Sequence, residues 1–192
     1  DYREINANSD IQTQGQLDEV VGSLNKQQIA IYYEVTQKLE QMVAHEKNGC
    51  NDDCAPDCKK PLLLYVSGFG GTGKSYLIRA IKGYMFVRKT DFSDPIDIAL
   101  TAPTGLAARN ISGQTLHSAF MFSVEHGKSA KYTELSSSRL QRVRHEFKNL
   151  KLMITDECSM ISGQLLFSLY LRMQQIFPAP DGVKDEPFGG KC

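Results

Sequence analysis

The chain lacks net charge of either sign and lacks any long apolar run. Its 192 residues carry 22 Lys and Arg against 22 Asp and Glu, so no overall positive field is available to hold a polyanion, although local patches can still do so. No apolar run approaches the roughly 20 residues that a bilayer-spanning helix needs, and the polar first 23 residues have no signal-peptide core. The sequence therefore gives no indication of membrane insertion or secretion.

Cysteine is scarce, and its count of five is odd. A framework of paired disulfides is therefore not expected, and a reducing compartment fits better. One short stretch nevertheless supplies four potential zinc ligands, which are His45, Cys50, Cys54 and Cys58. The C-x₃-C-x₃-C spacing is not a standard one and the stretch is rich in loop formers, so we expect a surface insert at about 45–60 in preference to a zinc site.

The strongest functional signal is a run of eight residues. Gly68 to Ser75 reads Gly-Phe-Gly-Gly-Thr-Gly-Lys-Ser and matches the phosphate-binding pattern G-x-x-x-x-G-K-[ST] at every fixed position. An apolar stretch, Pro61 to Val66, precedes it and a helix-compatible stretch, Tyr76 to Lys82, follows it, as the strand, loop and helix order of this motif requires. The pattern predicts a nucleoside triphosphate site; the alternative is a glycine-rich turn.

Each residue type in this loop has a physical role. Its small residues let the chain turn tightly and bring backbone N–H groups against phosphates at the positive end of the next helix. These residues are Gly68, Gly70, Gly71, Thr72 and Gly73. We expect the Lys74 ammonium to reach the β and γ phosphates and the Ser75 hydroxyl to bind the accompanying Mg²⁺.

A pair of carboxylates follows a second apolar run. The segment from Leu150 predicts a buried strand that ends at Asp156 and Glu157. An aspartate at this place can hold Mg²⁺, and a glutamate one residue later can orient or deprotonate the water that attacks the γ-phosphate. The pair favours hydrolysis over phosphate transfer; the alternative is two solvated acids at a strand end.

Strands and helices alternate along the chain after a polar, aperiodic segment 1–23. We predict strands over 61–66, 96–101 and 150–157, and helices over 24–42, 76–82, 106–110, 115–121, 139–149 and 164–177. This alternation predicts an α/β fold in which helices cover both faces of a parallel sheet. Both chemical signals then belong at the carboxyl ends of strands, where such sheets bind ligands.

Five segments in order resemble the Pif-one family of DNA helicases, which are superfamily-one type-B motors. They are Leu24–Gln28, Gly68–Ser75, Thr101–Ala108, Gly113–Ser118 and Asp156–Met160. The ending Pro187–Lys191 is similar to the versions that Helitron transposons encode. The resemblance implies a RecA-like P-loop NTPase fold, with residues 24–192 as part of the ATP-binding helicase domain.

The same resemblance implies roles at the matching positions. Gln28 would read the adenine edge, Lys74 and Ser75 would hold phosphates and Mg²⁺, and Asp156 with Glu157 would complete ATP hydrolysis. The implied partner is single-stranded DNA, contacted through Pro103, Thr104, Gly105, Thr115 and His117. Without the resemblance, His117 is better explained as a packed, hydrogen-bonded side chain.

The family pattern also places a further strand directly after Gly190, and beyond it a second motor domain with an arginine finger. We therefore expect a sheet that is incomplete at its C-terminal end, doubtful independent folding, and no helicase activity from residues 1–192 alone. The function expected of the parent protein is ATP-dependent 5′-to-3′ DNA unwinding, in the nucleus or alternatively the mitochondrion. The competing hypotheses are a P-loop nucleotide-binding protein that does not translocate and an inactive transposon remnant.

Overall fold

The structure is a computed structural model that describes residues 10–48, 60–88, 97–123, 132–179 and 187–191. The chain divides into two compact units, Asp1–Ile98 and Ala99–Lys191. Within the described ranges, no helix is long and apolar enough to cross a membrane.

The described part of the first unit is built from three helices. They are α1 (Gln14–Gly22), α2 (Lys26–Asn48) and α3 (Lys74–Val87). Helices α1 and α2 both pack on α3, and Leu39, Leu77 and Ile81 are among the side chains that they bury. The predicted helices over 24–42 and 76–82 are confirmed by α2 and α3, each of which extends further toward its C-terminus.

Helix α1 lies in the segment for which we expected no periodic structure. A capping box begins it, since the Thr13 hydroxyl accepts from the Gln16 N–H at 3.3 Å and the Gln16 side chain accepts from the Thr13 N–H at 3.2 Å. Only Ile11 and Leu17 provide buried apolar surface, at 1% and 2% exposure. The sequence does carry a helical signal here, because Leu17, Val20, Val21 and Leu24 are spaced as on one helix face, and the expectation of an aperiodic segment overlooked it.

The prediction of a strand over Pro61–Val66 is wrong. None of the strands in the described ranges includes these residues, and Leu63, Leu64 and Tyr65 are 55%, 43% and 72% exposed. A strand exists only where a neighbouring strand exchanges backbone hydrogen bonds with it. Apolar composition therefore favours a strand without supplying the partner that makes one.

A three-stranded parallel sheet has the strand order β2-β1-β3, and all of its residues except the first two of β1 belong to the second unit. Its strands are β1 (Asp97–Ala102), β2 (Gln114–Thr115) and β3 (Leu150–Thr155). In the parallel pair of β1 and β2, Thr101 lies opposite Gln114 and Ala102 opposite Thr115. Strands β1 and β3 confirm the predictions for 96–101 and 150–157, whereas β2 is too short to be seen in an apolar pattern.

Four helices flank this sheet, as the α/β prediction requires. They are α4 (Gly105–Asn110), α5 (Leu116–Ala119), α6 (Ser137–Glu146) and α7 (Gly163–Ile176). Arg144 of α6 donates to the carbonyl groups of Gln175 at 2.8 Å and Ile176 at 3.1 Å, at the C-terminal end of α7. The turn Pro187–Gly190 packs against α7, where the rings of Tyr170 and Phe188 meet edge to face at 5.9 Å.

Candidate functional site

The phosphate loop of the first unit uses left-handed backbone at two glycines. The φ angles of Gly71 and Gly73 are +78° and +81°, a region that favours glycine because it has no Cβ. Gly73 is also the N-cap residue of α3, and no side chain caps the helix there. The first turn of α3, which includes Lys74 and the exposed Ser75, therefore begins at a terminus of the kind that binds anions.

Lys74 is held inside this loop by neutral oxygen atoms. Its Nζ donates to the carbonyl groups of Gly68 at 2.8 Å and Phe69 at 3.0 Å. The Thr72 hydroxyl donates to the same Phe69 carbonyl at 2.8 Å. Since an ammonium group has three donors, these two bonds orient Lys74 and leave one donor for a phosphate oxygen.

Gln28, at the start of α2, contacts the phosphate loop directly. Its Nε2 donates to the carbonyl groups of Thr72 at 3.1 Å and Gly73 at 3.2 Å. Its Oε1 accepts from the Asn25 N–H at 2.9 Å, while the Asn25 side chain caps α2 by accepting from the N–H groups of Gln27 and Gln28. Gln28 therefore lies beside the phosphate loop, and its amide group is hydrogen-bonded to the backbone of Asn25, Thr72 and Gly73.

The two predicted catalytic acids of the second unit directly follow β3. The Asp156 N–H donates to the Thr101 carbonyl at 2.9 Å, which extends the bonding between β3 and β1 by one residue. Asp156 Oδ1 accepts from the Glu157 N–H at 2.9 Å. Glu157 is exposed and has a φ of +51°, a left-handed conformation that costs a non-glycine residue of order 1 kcal/mol. Such conformations are concentrated at functional sites.

A threonine pair below these acids fixes the ends of the two strands. Thr101 Oγ1 donates to the Ile154 carbonyl at 3.2 Å and lies 2.9 Å from Thr155 Oγ1. Thr101 is fully buried, so these bonds satisfy a polar group that would otherwise destabilise the sheet. Sequence reasoning missed this pair, although a threonine near the end of each predicted strand was a visible signal.

The predicted DNA contacts lie on segments that leave the sheet at one edge. Pro103, Thr104 and Gly105 follow β1. Thr115 is the last residue of β2 and lies opposite Ala102 of β1, and His117 is in α5, which follows β2 directly. Because parallel strands end on the same side, these segments and Asp156–Glu157 share the carboxyl edge of the sheet in the second unit.

The hydroxyl groups of this edge already have a structural role. Thr104 Oγ1 accepts from the Ala107 N–H at 3.3 Å and Thr115 Oγ1 accepts from the Ser118 N–H at 3.2 Å, so each caps a helix. A capping hydroxyl keeps its own O–H donor, which suits a phosphate oxygen. His117 is half-buried, and its ring meets the Phe122 ring edge to face at 6.0 Å.

A buried arginine near His117 was also missed by sequence reasoning. Arg172 of α7 is 2% exposed and lines a cavity of about 600 Å³. Its guanidinium group donates to Gln175 Oε1 at 2.6 Å and to the Thr133 carbonyl at 2.9 Å. The rings of Phe122 and Tyr132 lie 5.3 and 5.1 Å from its guanidinium carbon. Burial lowers the pKa of Arg172, and the bonds indicate that it attaches the segment around Thr133 to α7.

The zinc hypothesis stays a prediction. Cys50, Cys54 and Cys58 lie outside the described residues, and His45 alone of the four falls within them. Among the described residues, no group of three His, Cys, Asp or Glu side chains is arranged to hold a metal ion.

Comparison with known proteins adds three findings. The family model described as PIF1-like helicase matches residues 51–192. The ATP-dependent DNA helicase PIF1 of Xenopus laevis is 33% identical over 127 residues, which are 66% of this chain and 18% of that protein. The ATP-dependent DNA helicase PIF1 of Candida albicans is 38% identical over 109 residues, which are 55% of this chain and 11% of that protein.

Solved structures support the fold. Unliganded Pif1 from Bacteroides sp. superposes with a TM-score of 0.51 and 25% identity, covering 87% of this chain and 29% of that one. A Pif1 structure that concerns the unwinding of forked double-stranded DNA gives a TM-score of 0.51 at 22% identity, and the match covers 81% of this chain and 31% of that one. The predicted RecA-like P-loop fold is confirmed. The chain spans less than a fifth of the length of the two curated relatives above.

Proposed function

This chain belongs to the PIF1-like helicase family, whose model covers residues 51–192, and on that premise we propose that it is the ATP-binding part of an ATP-dependent 5′-to-3′ DNA helicase. The observation that carries the proposal is the phosphate loop, in which Lys74 is oriented at the start of α3 by the carbonyl groups of Gly68 and Phe69. The names of the curated relatives, which are ATP-dependent DNA helicases, support the same activity.

The residues present fit a triphosphate with Mg²⁺. The uncapped start of α3 and the Lys74 ammonium suit phosphate oxygens. The Ser75 hydroxyl and the Asp156 carboxylate are hard oxygen ligands of the kind that Mg²⁺ prefers. Ser75 and Asp156 would hold Mg²⁺, which would supply positive charge to neutralise the negative charge that develops on the phosphate oxygens during hydrolysis.

Glu157 is the residue that we assign to the attacking water. Its carboxylate is exposed, and its backbone is fixed in a left-handed turn by the bond from its N–H to Asp156 Oδ1. A carboxylate so placed can orient a water molecule and accept its proton, a contribution of about 10²- to 10⁴-fold in rate.

We assign single-stranded DNA to the carboxyl edge of the sheet in the second unit. The capping hydroxyl groups of Thr104 and Thr115 and the half-buried His117 ring are short, rigidly held polar groups. Such groups suit the sequence-independent phosphate contacts that a translocating motor needs.

The test uses the full-length protein that contains this chain, with ATP turnover measured with and without single-stranded DNA. We expect Lys74→Ala to abolish turnover and Glu157→Gln to retain nucleotide binding while losing at least about 100-fold in hydrolysis. Glu146→Gln makes the same chemical change on α6, where Glu146 pairs with Arg142, and is the matched control. Normal DNA-stimulated turnover in Lys74→Ala or Glu157→Gln would contradict the site assignment.

Stimulation by DNA separates the helicase from a nucleotide-binding protein that does not translocate. DNA-independent turnover in the wild type would favour the latter.

The finer assignments are a nuclear location and a role in repair, recombination, telomere maintenance or Helitron transposition. The similarity of Pro187–Lys191 to Helitron versions supports the last, and the coding sequence around this chain in its genome would test it.

A further inference from the structure

The turn that ends α5 has a left-handed backbone at a residue that is not glycine. The Phe122 N–H donates to the His117 carbonyl at 3.0 Å and the Met121 N–H donates to the Ser118 carbonyl at 3.4 Å, which is the bonding of a Schellman motif. The φ angle of Met121 is +52°, in the region that this motif usually gives to glycine. Because a Cβ destabilises this conformation, contacts from outside the turn are needed to hold it.

The ring of Phe122 is the part of this turn that contacts the rest of the second unit. It meets the His117 ring edge to face at 6.0 Å, a contact of the kind that a Schellman motif forms between the residue after the turn and the last helical turn. The guanidinium carbon of Arg172 lies 5.3 Å from the centre of the same ring. The Phe122 ring therefore connects α7 to His117.

Arg172 also holds the chain that leads into α6. Its guanidinium carbon lies 5.1 Å from the Tyr132 ring, and the group donates to the Thr133 carbonyl at 2.9 Å. Gln175, one turn later on α7, accepts from Arg172 at 2.6 Å and from the Leu135 N–H at 3.3 Å. One guanidinium group therefore contacts the turn after α5 and the segment before α6.

The guanidinium group of Arg172 is itself withdrawn from solvent. The side chain is 2% exposed, and its buried Nε has no hydrogen-bond partner among the described residues. A cation between aromatic rings is stabilised by their π electrons without a bond at every nitrogen. A phosphate contact needs an exposed N–H group, so this geometry favours an indirect role in DNA binding over a direct one.

We propose that Arg172 is a positioning residue for DNA binding, which holds the turn after α5 and, through the Phe122 ring, the imidazole of His117. The proposal rests on the DNA contact assigned to His117 in the same unit. A side chain that is already held in its binding conformation does not have to be ordered when the strand arrives, so Arg172 raises DNA affinity without touching the DNA.

The first experiment measures the affinity of the full-length protein that contains this chain for a single-stranded oligothymidylate. We expect His117→Ala to weaken binding about tenfold and Arg172→Met, which keeps an unbranched apolar side chain, to weaken it about fivefold. The double variant should bind within about twofold of His117→Ala, because Arg172 acts through His117. Arg142→Met makes the same change at an exposed position of α6 and should leave the affinity unchanged.

The salt dependence of binding distinguishes positioning from direct contact. Each phosphate of single-stranded DNA that a side chain neutralises adds about 0.7 to the slope of log affinity against log salt concentration. We expect Arg172→Met, made in the His117→Ala protein, to leave this slope unchanged. A slope lower by about 0.7 would mean that Arg172 contacts a phosphate itself, and the proposal would be wrong. Losses that multiply in the double variant would contradict it as well.

Phe122→Leu repeats the test if Arg172→Met fails to fold. It removes the ring that connects Arg172 to His117 and keeps the bonds of Arg172 to Thr133 and Gln175. We expect about the same loss of DNA affinity and the same lack of additivity with His117→Ala. ATP affinity without DNA should not change, because the phosphate loop belongs to the first unit. A lower melting temperature with normal DNA affinity would mean a role in folding alone and would overturn the proposal.

An error in the proposed DNA site would give a different result from an error in the role of Arg172. If the wild type bound no DNA, or if His117→Ala bound it normally, the DNA contact would be wrong, and the positioning role with it. If His117→Ala weakened binding while Arg172→Met and Phe122→Leu did not, only the positioning role would be wrong.

Hydrogen exchange of residues 117–122 without DNA gives a readout that does not depend on the proposed function. These amides should exchange faster in Arg172→Met than in the wild type or Arg142→Met, because the turn loses the contact that holds it. Equal exchange in all three proteins would show that Arg172 does not hold the turn.

Discussion

The phosphate loop in the first unit and the residues after β3 in the second unit carry the groups that we assign to ATP hydrolysis, yet different bonds hold them. Loop residues are held by side chains, since Gln28 and Lys74 each donate to two loop carbonyl groups. Asp156 is held by backbone, through its N–H bond to Thr101 at the end of the sheet.

This difference predicts different consequences of mutation. The loop is held by the half-buried side chains of Gln28 and Lys74 and contributes little to the buried core, so its substitutions should change ligand binding more than the free energy of unfolding. The end of the sheet is continuous with strands that contain the buried residues Leu100 and Leu150. Substitutions there should therefore lower the free energy of unfolding more than they lower ligand affinity. The following substitutions test how much individual contacts in each unit contribute to the free energy of unfolding.

We expect the largest effect from Gly113→Ala in the second unit. A Cβ at Gly113 would collide with the Leu100 carbonyl oxygen and lie 2.8 Å from its carbonyl carbon, so β1 and β2 would have to separate. Overpacking against backbone should cost about 3 kcal/mol in the free energy of unfolding, measured by urea denaturation. Gly163→Ala, where a Cβ meets no atom within 4 Å, is the control; equal stability of the two variants would argue against close packing here.

Thr101→Val should have the next largest effect. The substitution preserves shape but removes the hydroxyl that bonds to Ile154 and Thr155, which should cost about 1 to 2 kcal/mol. Adding Thr155→Val removes the other partner, so the double variant should be less destabilised than the sum of the single variants. Strict additivity in thermal denaturation would mean that the two hydroxyl groups do not interact.

Tyr84→Phe tests the first unit and should cost about 1 kcal/mol. Tyr84 is buried on α3, and its hydroxyl donates to Glu40 Oε1 of α2 at 2.6 Å. Burial raises the pKa of Tyr84, and the hydrogen bond to the Glu40 carboxylate and the negative charge of Glu40 raise it further.

The raised pKa gives the same variant a signature in alkaline solution. In the unfolded chain Tyr84 begins to ionise near pH 10, the ordinary value, while the folded protein resists ionisation. The stabilisation is therefore complete below pH 10 and is lost as the pH rises above it, and Tyr84→Phe should show a shallower loss. Tyr33→Phe, at a half-exposed position, is the control, and the same pH dependence in both variants would contradict the assignment.

The smallest effect is expected from Asp10→Asn. Asp10 pairs with Arg79 at 3.5 Å, but the two side chains are 78% and 47% exposed. Solvent screens such a pair, so the free energy of unfolding should change by less than about 0.5 kcal/mol. A larger change in the urea midpoint would mean that this contact does more to hold residues before α1 on α3 than its exposure suggests.

The sequence allowed prediction of those elements that carry their own pattern. Helices α2, α3, α6 and α7 have long apolar periods, and β3 is a short apolar run that ends in acids. Predictions failed where a partner decides the outcome, because the apolar run 61–66 pairs with none of the described strands and β2 is defined only by its pairing with β1.

Side-chain bonding around the candidate site was less predictable than the elements. The glycine and lysine positions of the loop follow from the pattern, but the partners of Gln28 depend on where α2 meets the loop. An asparagine three residues before a glutamine signals a helix cap, as Asn25 shows. It does not reveal that the same glutamine reaches Thr72 and Gly73.

The bonds of Lys74 have one further consequence, which concerns ionic strength. Its bonded partners, the carbonyl oxygens of Gly68 and Phe69, are dipoles, so they orient the ammonium group without cancelling its charge. The field of that charge extends about 8 Å from the loop at physiological salt and less as salt is added. The rate at which a triphosphate anion associates with the loop should therefore fall as ionic strength rises, before any contact is made.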